Sequence, residues 1–123
     1  MSKYDPQKAP EPKRWLKIDE NDRLELVRVY HEKAKIDVPN EMAHAAVHVL
    51  VENQLASGEA VVLETFERLQ EEGLDRHDAL HAIGSEVLQH MERLRREGKT
   101  GSKPNQEYFD ALAKLSAKKW KAR

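Results

Sequence analysis

The sequence predicts an all-α fold, an up-and-down bundle of about five helices. Apolar residues recur at intervals of three and four along most of the chain, which is the spacing of helix faces. Strand-like alternation is absent, and the segments between the predicted helices are short. At 123 residues and 39% hydrophobic composition, the chain is long enough to bury a core. We therefore predict a single helical-bundle domain over residues 15–123, preceded by an N-terminal arm.

The predicted arm comprises residues 1–14. Three prolines stand there among lysines and glutamates, a composition that buries little apolar surface. We therefore expect a flexible or extended segment whose end is held on the body by Trp15, Leu16 and Ile18.

The first two predicted helices follow the arm. One runs from Glu20 to about Ala34, is capped by Asp19, and carries His31 on its inward stripe. Pro39 then breaks the chain, and a central helix runs from Glu41 to Ala56. Apolar residues cover most of the circumference of this central helix, which predicts a largely buried element.

Three more helices complete the predicted bundle. The third runs from Ala60 to Glu72, the fourth opens at Asp75 and runs to about Glu97, and the last starts near Asn105. The side chains expected to face inward on the third helix are Val62, Leu63, Phe66 and Leu69. Those expected on the fourth are Leu80, Ile83, Val87, Leu88, Met91 and Leu94. His90 falls off this stripe and is expected at the solvated surface.

Two pairs of histidines stand out from this pattern. His44 and His48 lie in the central helix with Glu52 one turn further on, and His77 and His81 lie in the fourth helix. Residues four apart share a helix face, with Cβ atoms about 5–6 Å apart. In up-and-down order the two helices run parallel, and each pair lies in the N-terminal half of its helix. We therefore expect four imidazoles at a common depth.

This spacing predicts a metal site. Neutral imidazole is the commonest metal ligand, and an i, i+4 pair can chelate one ion. The predicted ligands are His44, His48, His77 and His81. Glu52 is expected as a fifth ligand or as the acceptor of an imidazole N–H, and His31 is an additional contributor or an ordinary interface residue. A nitrogen and oxygen set without sulfur suits one divalent ion, Zn²⁺, Fe²⁺ or Mn²⁺.

Several other kinds of site are excluded or not favoured. The chain has no cysteine, which excludes zinc fingers, iron–sulfur clusters, disulfides and thiol catalysis. The insert 45–47 carries no glutamate, which excludes the H-E-x-x-H protease motif. Glu41 and Asp78 each precede a histidine by three residues, as in dinuclear carboxylate bundles. Acids are common in the first turn of any helix, however, so we prefer a mononuclear site. The pattern assigns no catalytic residue and no reaction.

Two other function classes stay open. One is a metal-free interaction or dimerisation module, such as a homodimer of this chain, whose buried histidines are hydrogen-bonded. The weaker one is nucleic-acid contact through the basic last quarter of the chain, although such a run usually satisfies its own helix ends and the net charge is -1. No apolar run is long enough for a membrane span, so we expect a soluble, cytoplasmic protein without a membrane partner.

The layout also resembles a known type of protein. The stretches HAAVHVLVENQLA and RHDALHAIG, followed by a terminal helix that contains Tyr108, resemble an uncharacterised bacterial family of short helical proteins, a domain of unknown function. The likeness covers about Glu41 to Leu115. The matching positions are His44, His48, Glu52, Gln54, His77 and His81. The resemblance implies the helical layout and the importance of both motifs, and because the family has no established activity it implies no reaction.

Overall fold

The computed structural model describes residues 3–36, 40–97 and 105–122, and these residues form helices and connecting turns without a strand. Seven helices lie within those ranges. They are α1 (Pro12–Lys17), α2 (Glu20–Lys33), α3 (Glu41–Ala56), α4 (Ala60–Glu71), α5 (Arg76–Glu97), α6 (Gln106–Lys114) and α7 (Ala117–Lys121). The all-α class is therefore confirmed, whereas α1 and the separation of α6 from α7 were not predicted. The up-and-down order stays a prediction.

The chain divides into two compact units, Met1–Glu59 and Ala60–Arg123. The first contains α1, α2 and α3, and the second contains α4 to α7. The predicted limits of an arm at residues 1–14 and one domain at residues 15–123 stay a prediction. Among the described residues, no helix has both the length and the apolar character that crossing a bilayer requires.

Helix α1 owes its start and its position to a few side chains. Pro12 occupies the first turn, where its missing N–H costs nothing, and the Glu11 carboxylate accepts a hydrogen bond from the backbone N–H of Arg14 at 2.8 Å. Trp15 is completely buried and donates its Nε1–H to Asn53 Oδ1 on α3 at 2.9 Å. This bond and the burial of the indole hold α1 against α3.

The N-terminal residues bury more surface than their composition indicates. Tyr4 is only 4% exposed, and Pro6 is fully buried. The Tyr4 ring lies 5.7 Å from the Trp15 ring and meets the Tyr30 ring edge-on at 6.2 Å. The expectation that this segment buries little is wrong at these positions, because one aromatic ring among prolines is enough to anchor it in a core of other aromatic rings.

The helix ends follow local chemistry in both units. The predicted cap of α2 is confirmed, since Asp19 accepts from the N–H of Asn21. Asn40 caps α3 by accepting from the N–H of Ala43, and Asp75, predicted to open the fourth helix, accepts from the N–H of Asp78. Three helices end in a turn with a left-handed residue: Lys35 (φ 57°) after α2, Gly58 (φ 76°) after α3 and Gly73 (φ 108°) after α4. In the turn after α4, Leu74 N–H bonds to Leu69 O and Gly73 N–H bonds to Gln70 O, which is the pattern of a Schellman cap.

The inward face of the second unit differs from the predicted one at several positions. The residues of this unit that are almost wholly buried include Val62, Leu69, Leu80, Ile83 and Leu112. Leu63 is 40% exposed, and Leu88 and Met91 are each 51% exposed, so their predicted inward positions are wrong. His90, expected in solvent, is 8% exposed and stacks on Tyr108 with ring centroids 5.5 Å apart. The buried face of α5 continues from Val87 by three residues to His90, and Leu88 lies about 100° away from Val87.

An Arg68–Glu72 clamp joins α4 to the chain between α6 and α7. Arg68 donates to the carbonyl oxygens of Leu112 at 3.0 Å and Leu115 at 2.7 Å, which satisfies carbonyls at the end of α6. Glu72 accepts from the N–H of Ala117 at 2.9 Å and from Arg68 at 3.0 Å. These two hydrogen bonds lower the pKa of the Glu72 carboxyl, the bond from Ala117 being the larger cause.

Candidate metal centre

The candidate centre lies where α2 and α3 pack in the first unit. Asn40 caps α3, and from that start His44 and His48 follow on one face, one turn apart. His31 lies on the inward stripe of α2 near its end. The three rings contact one another, with centroids 4.6 Å apart for His31 and His44, 4.8 Å for His31 and His48, and 4.9 Å for His44 and His48.

The ring nitrogens of this triad are close enough to hold one metal ion. His31, His44 and His48 each offer one nitrogen, and these atoms lie within 4.8 Å of one another. The Nε2 atoms of His31 and His44 are 3.1 Å apart. Two nitrogens that bind one tetrahedral ion at about 2.0–2.1 Å lie about 3.3 Å apart. The separation of these two Nε2 atoms therefore already matches that of two ligands of one ion.

The hydrogen bonds of His31 determine which of its nitrogens is available. His31 Nδ1 lies 2.9 Å from the carbonyl oxygen of Val27, and because a carbonyl only accepts, Nδ1 carries the proton. Nε2 then carries a lone pair, which faces Nε2 of His44. In the metal-free chain the Nε2–H of His44 donates to that lone pair. A bound ion would take the place of this proton between the two nitrogens.

His48 is linked to two further polar side chains of the same unit. The Tyr4 hydroxyl donates to Glu52 Oε2 at 2.5 Å, and its oxygen lies 3.3 Å from His48 Nδ1. His48 is 1% exposed and Glu52 is 2% exposed. The Glu52 carboxylate thus reaches His48 through the tyrosine.

The predicted ligands are therefore placed as follows. His44 and His48 lie together, with Glu52 beside them, and His31 joins them as the additional contributor that the sequence allowed. In the second unit, His77 and His81 are half-buried and lie one turn apart on α5, with ring centroids 4.3 Å apart. The meeting of the two histidine pairs at one ion stays a prediction.

Tyr4 was missed by sequence reasoning. It lies 44 residues before His48 and 48 before Glu52, in a segment without helical periodicity. The sequence offered no signal beyond a lone aromatic residue among prolines. His31 did carry a signal, since it lies on the inward stripe near the end of α2, ten residues before the start of α3.

Comparisons with protein-family models, curated proteins and solved structures find no match for this chain. The resemblance to the bacterial helical family therefore stays a prediction. The chemistry of the triad is the ground on which a function can be argued.

Proposed function

We propose that this protein binds one divalent transition-metal ion through His31, His44 and His48. The observation that carries the proposal is the convergence of three imidazole nitrogens within 4.8 Å, two of them 3.1 Å apart. The ligands come from two helices whose caps and packing fix their positions. Such a preformed set loses little side-chain freedom when an ion binds.

The pairing of these histidines favours a ligand set over a structural role. A structural buried histidine gives its N–H to a carbonyl or carboxylate and receives a proton at its other nitrogen. His31 and His44 meet this second condition only through each other: their Nε2 atoms lie 3.1 Å apart and share one proton, a separation that is also close to that of two ligands of one ion. Protonation of both rings would place two positive charges next to each other inside the unit, which is costly. A metal ion that replaces the shared proton would bind both Nε2 atoms at once.

The donor chemistry narrows the choice of ion. Imidazole suits Zn²⁺, Fe²⁺, Cu²⁺ and Ni²⁺, whereas Mn²⁺ prefers carboxylate and water oxygens. The triad offers only nitrogens, so among the ions predicted from the sequence we rank Zn²⁺ and Fe²⁺ above Mn²⁺. Three protein ligands leave a fourth position for water or another ligand, and the half-buried His44 is the most accessible of the three.

The proposal is tested with untagged full-length protein. Elemental analysis and titration with Zn²⁺ are expected to give one ion per chain, and His31→Ala and His44→Ala are expected to abolish tight binding. His90→Ala is the matched control, because His90 is a buried histidine of the second unit. Absence of bound metal together with no Zn²⁺ binding, or equal binding by wild type and both triad variants, would overturn the proposal.

His77 and His81 are retained as proposed further ligands, on the basis of their i, i+4 spacing. The double variant His77→Ala/His81→Ala is expected to weaken Zn²⁺ binding relative to His90→Ala. Unchanged affinity in the double variant would restrict the site to the three histidines of the first unit.

The two alternative function classes also stay predictions. A metal-free dimerisation module would sediment as a dimer and would lose stability equally in the histidine variants with and without Zn²⁺. Nucleic-acid contact through the basic end of the chain would appear as binding that weakens steeply as salt rises.

A further inference from the structure

We propose that Tyr4 and Glu52 are positioning residues of this metal site, which hold His48 with its Nε2 lone pair available to the ion. The inference rests on the proposed metal binding and adds to it a defined role for the N-terminal segment. It follows from the direction of two hydrogen bonds, the agreement between two histidines, and the charge of a buried carboxylate.

The first step is the direction of the hydrogen bonds. A carboxylate accepts only, so the 2.5 Å contact between the Tyr4 hydroxyl and Glu52 Oε2 commits the single phenolic proton to Glu52. Towards His48 the phenolic oxygen can then act only as an acceptor. The 3.3 Å contact with His48 Nδ1 is therefore an N–H donated by the imidazole. His48 thus carries its proton on Nδ1 and has a lone pair on Nε2.

The second step is that His31 reaches the same state by a different route. His31 gives its Nδ1–H to the Val27 carbonyl, whereas His48 gives its Nδ1–H to Tyr4. Two histidines on different helices are thus held in the tautomer that carries the proton on Nδ1 and leaves Nε2 unprotonated. Histidines that bind metals almost always donate their other N–H to a carbonyl, carboxylate or similar acceptor. Protonation at Nδ1 is the state that binding of an ion through Nε2 requires of both rings.

The carboxylate of Glu52 also affects the charge of the site. Three neutral imidazoles leave the full charge of a divalent ion uncompensated, and a carboxylate close to the site reduces the cost of burying that charge. Glu52 is 2% exposed and is connected to His48 through one hydroxyl. Its negative charge makes the Nε2 lone pair of His48 a stronger metal ligand and partly balances the charge of the ion. This gives the buried acid of α3 a function that helix formation does not require.

The inference predicts that Tyr4→Phe and Glu52→Gln weaken Zn²⁺ binding about 10- to 100-fold, the usual effect of removing an outer partner of a metal ligand. Tyr4→Phe removes the hydroxyl that links Glu52 to His48, and Glu52→Gln removes the charge that acts through this link, so the double variant is expected to bind about as weakly as Tyr4→Phe alone. Affinity is measured on the full chain by competition with a chromophoric chelator. Tyr108→Phe is the matched control, since it removes the hydroxyl of a buried tyrosine in the second unit.

A spectroscopic readout separates positioning from loss of structure. Nitrogen-15 NMR of the imidazole rings in the metal-free protein is expected to show His31 and His48 protonated at Nδ1. In Tyr4→Phe, His48 alone should become a mixture of tautomers. If Tyr4→Phe fails to fold, the Zn²⁺ affinity of Glu52→Gln tests the inference. The amide oxygen of this variant still accepts from Tyr4, so only the charge is lost.

The outcomes distinguish this inference from the proposed function. If wild type binds Zn²⁺, His31→Ala does not, and both Tyr4→Phe and Glu52→Gln bind as wild type, the positioning role is wrong and the metal site stands. Additive losses in the double variant, or His48 protonated at Nε2 in wild type, would also overturn it. If His31→Ala binds Zn²⁺ as tightly as wild type, the proposed function itself fails.

Discussion

The two units bury histidines whose protons lie on different ring nitrogens. In the first unit, His31 donates its Nδ1–H to a carbonyl, and its Nε2 lone pair faces His44. In the second unit, His90 Nδ1 lies 3.2 Å from an Arg93 nitrogen, and because arginine only donates, that lone pair is occupied. His90 therefore carries its proton on Nε2 and has no lone pair left for a metal. Burial of an imidazole alone does not distinguish the two cases, whereas the partner of Nδ1 does.

A similar contrast holds between two other pairs of polar side chains. Arg68 and Glu72 bond to backbone carbonyls and to one backbone N–H, so their polar atoms complete the ends of helices. Tyr4 and Glu52 bond to side chains that lead to the histidine triad. The hydrogen bonds of Arg68 and Glu72 to the backbone therefore stabilise helix ends. Those of Tyr4 and Glu52 instead connect side chains around the three histidines.

The largest expected effect is the response of the two units to metal. Zn²⁺ at about 100 times its Kd should stabilise the protein by about 2.7 kcal/mol, and His31→Ala should remove this gain. If the three histidines of the first unit are the only ligands, hydrogen exchange should slow in α2 and α3 while the Ala117 amide bound by Glu72 keeps its rate. Equal protection of that amide would mean that the ion also stabilises the second unit, as ligation by His77 and His81 requires.

The next effect is expected from Arg68→Ala, which removes the donor to two carbonyls and to Glu72. We expect a loss of about 1–3 kcal/mol in the free energy of unfolding, measured in urea, because charged hydrogen bonds to buried acceptors are among the stronger ones. Zn²⁺ affinity should not change. Arg95→Ala is the control: Arg95 is 73% exposed and pairs with Glu92 at the surface, so its loss should leave the free energy of unfolding nearly unchanged. A loss as large as that of Arg68→Ala would mean that the clamp has no special role.

The parts of this fold that were predictable depend on near neighbours in the chain. Asp19, Asn40 and Asp75 cap helices by bonding to an N–H two or three residues away, so the local sequence contains all the information. The i, i+4 spacing likewise placed His44 and His48 on one face. His90 was misplaced because Leu88 and Met91 were counted as inward, and these two apolar residues proved to be half exposed.

The rest of the site was beyond the sequence because its contacts join distant segments. The bond from Tyr4 to Glu52 spans 48 residues, and the contact of His44 with His31 depends on how α2 packs on α3. Helical periodicity indicates which face of α2 is inward but not which residue of α3 lies opposite. A proline-rich segment carries no periodicity at all, so nothing marked Tyr4 as a partner of the triad.

A smaller effect is expected from pH at the Arg68–Glu72 clamp. The pKa of Glu72 is lowered in the folded protein, first by the Ala117 N–H and then by Arg68. Its contribution to stability is therefore present above the unfolded pKa of about 4.3 and is lost as pH falls through the lower, folded pKa. The free energy of unfolding of wild type should fall more steeply than that of Glu72→Gln as the pH is lowered from 5 to 3. If the free energy of unfolding of both proteins falls equally with pH, the two hydrogen bonds of Glu72 do not contribute to stability.

The smallest effect concerns the turn that ends one helix of each unit. The turn after α4 uses Gly73 in the left-handed region, whereas the turn after α2 places Lys35 there, close to His31. A left-handed residue other than glycine costs about 1–2 kcal/mol, and glycine recovers this less its own chain entropy of up to about 1 kcal/mol. Lys35→Gly should therefore raise the free energy of unfolding by about 0.5–1 kcal/mol in urea, without changing Zn²⁺ affinity. An unchanged stability would mean that the two turns are equally relaxed, and a changed affinity would mean that the end of α2 also adjusts the position of His31.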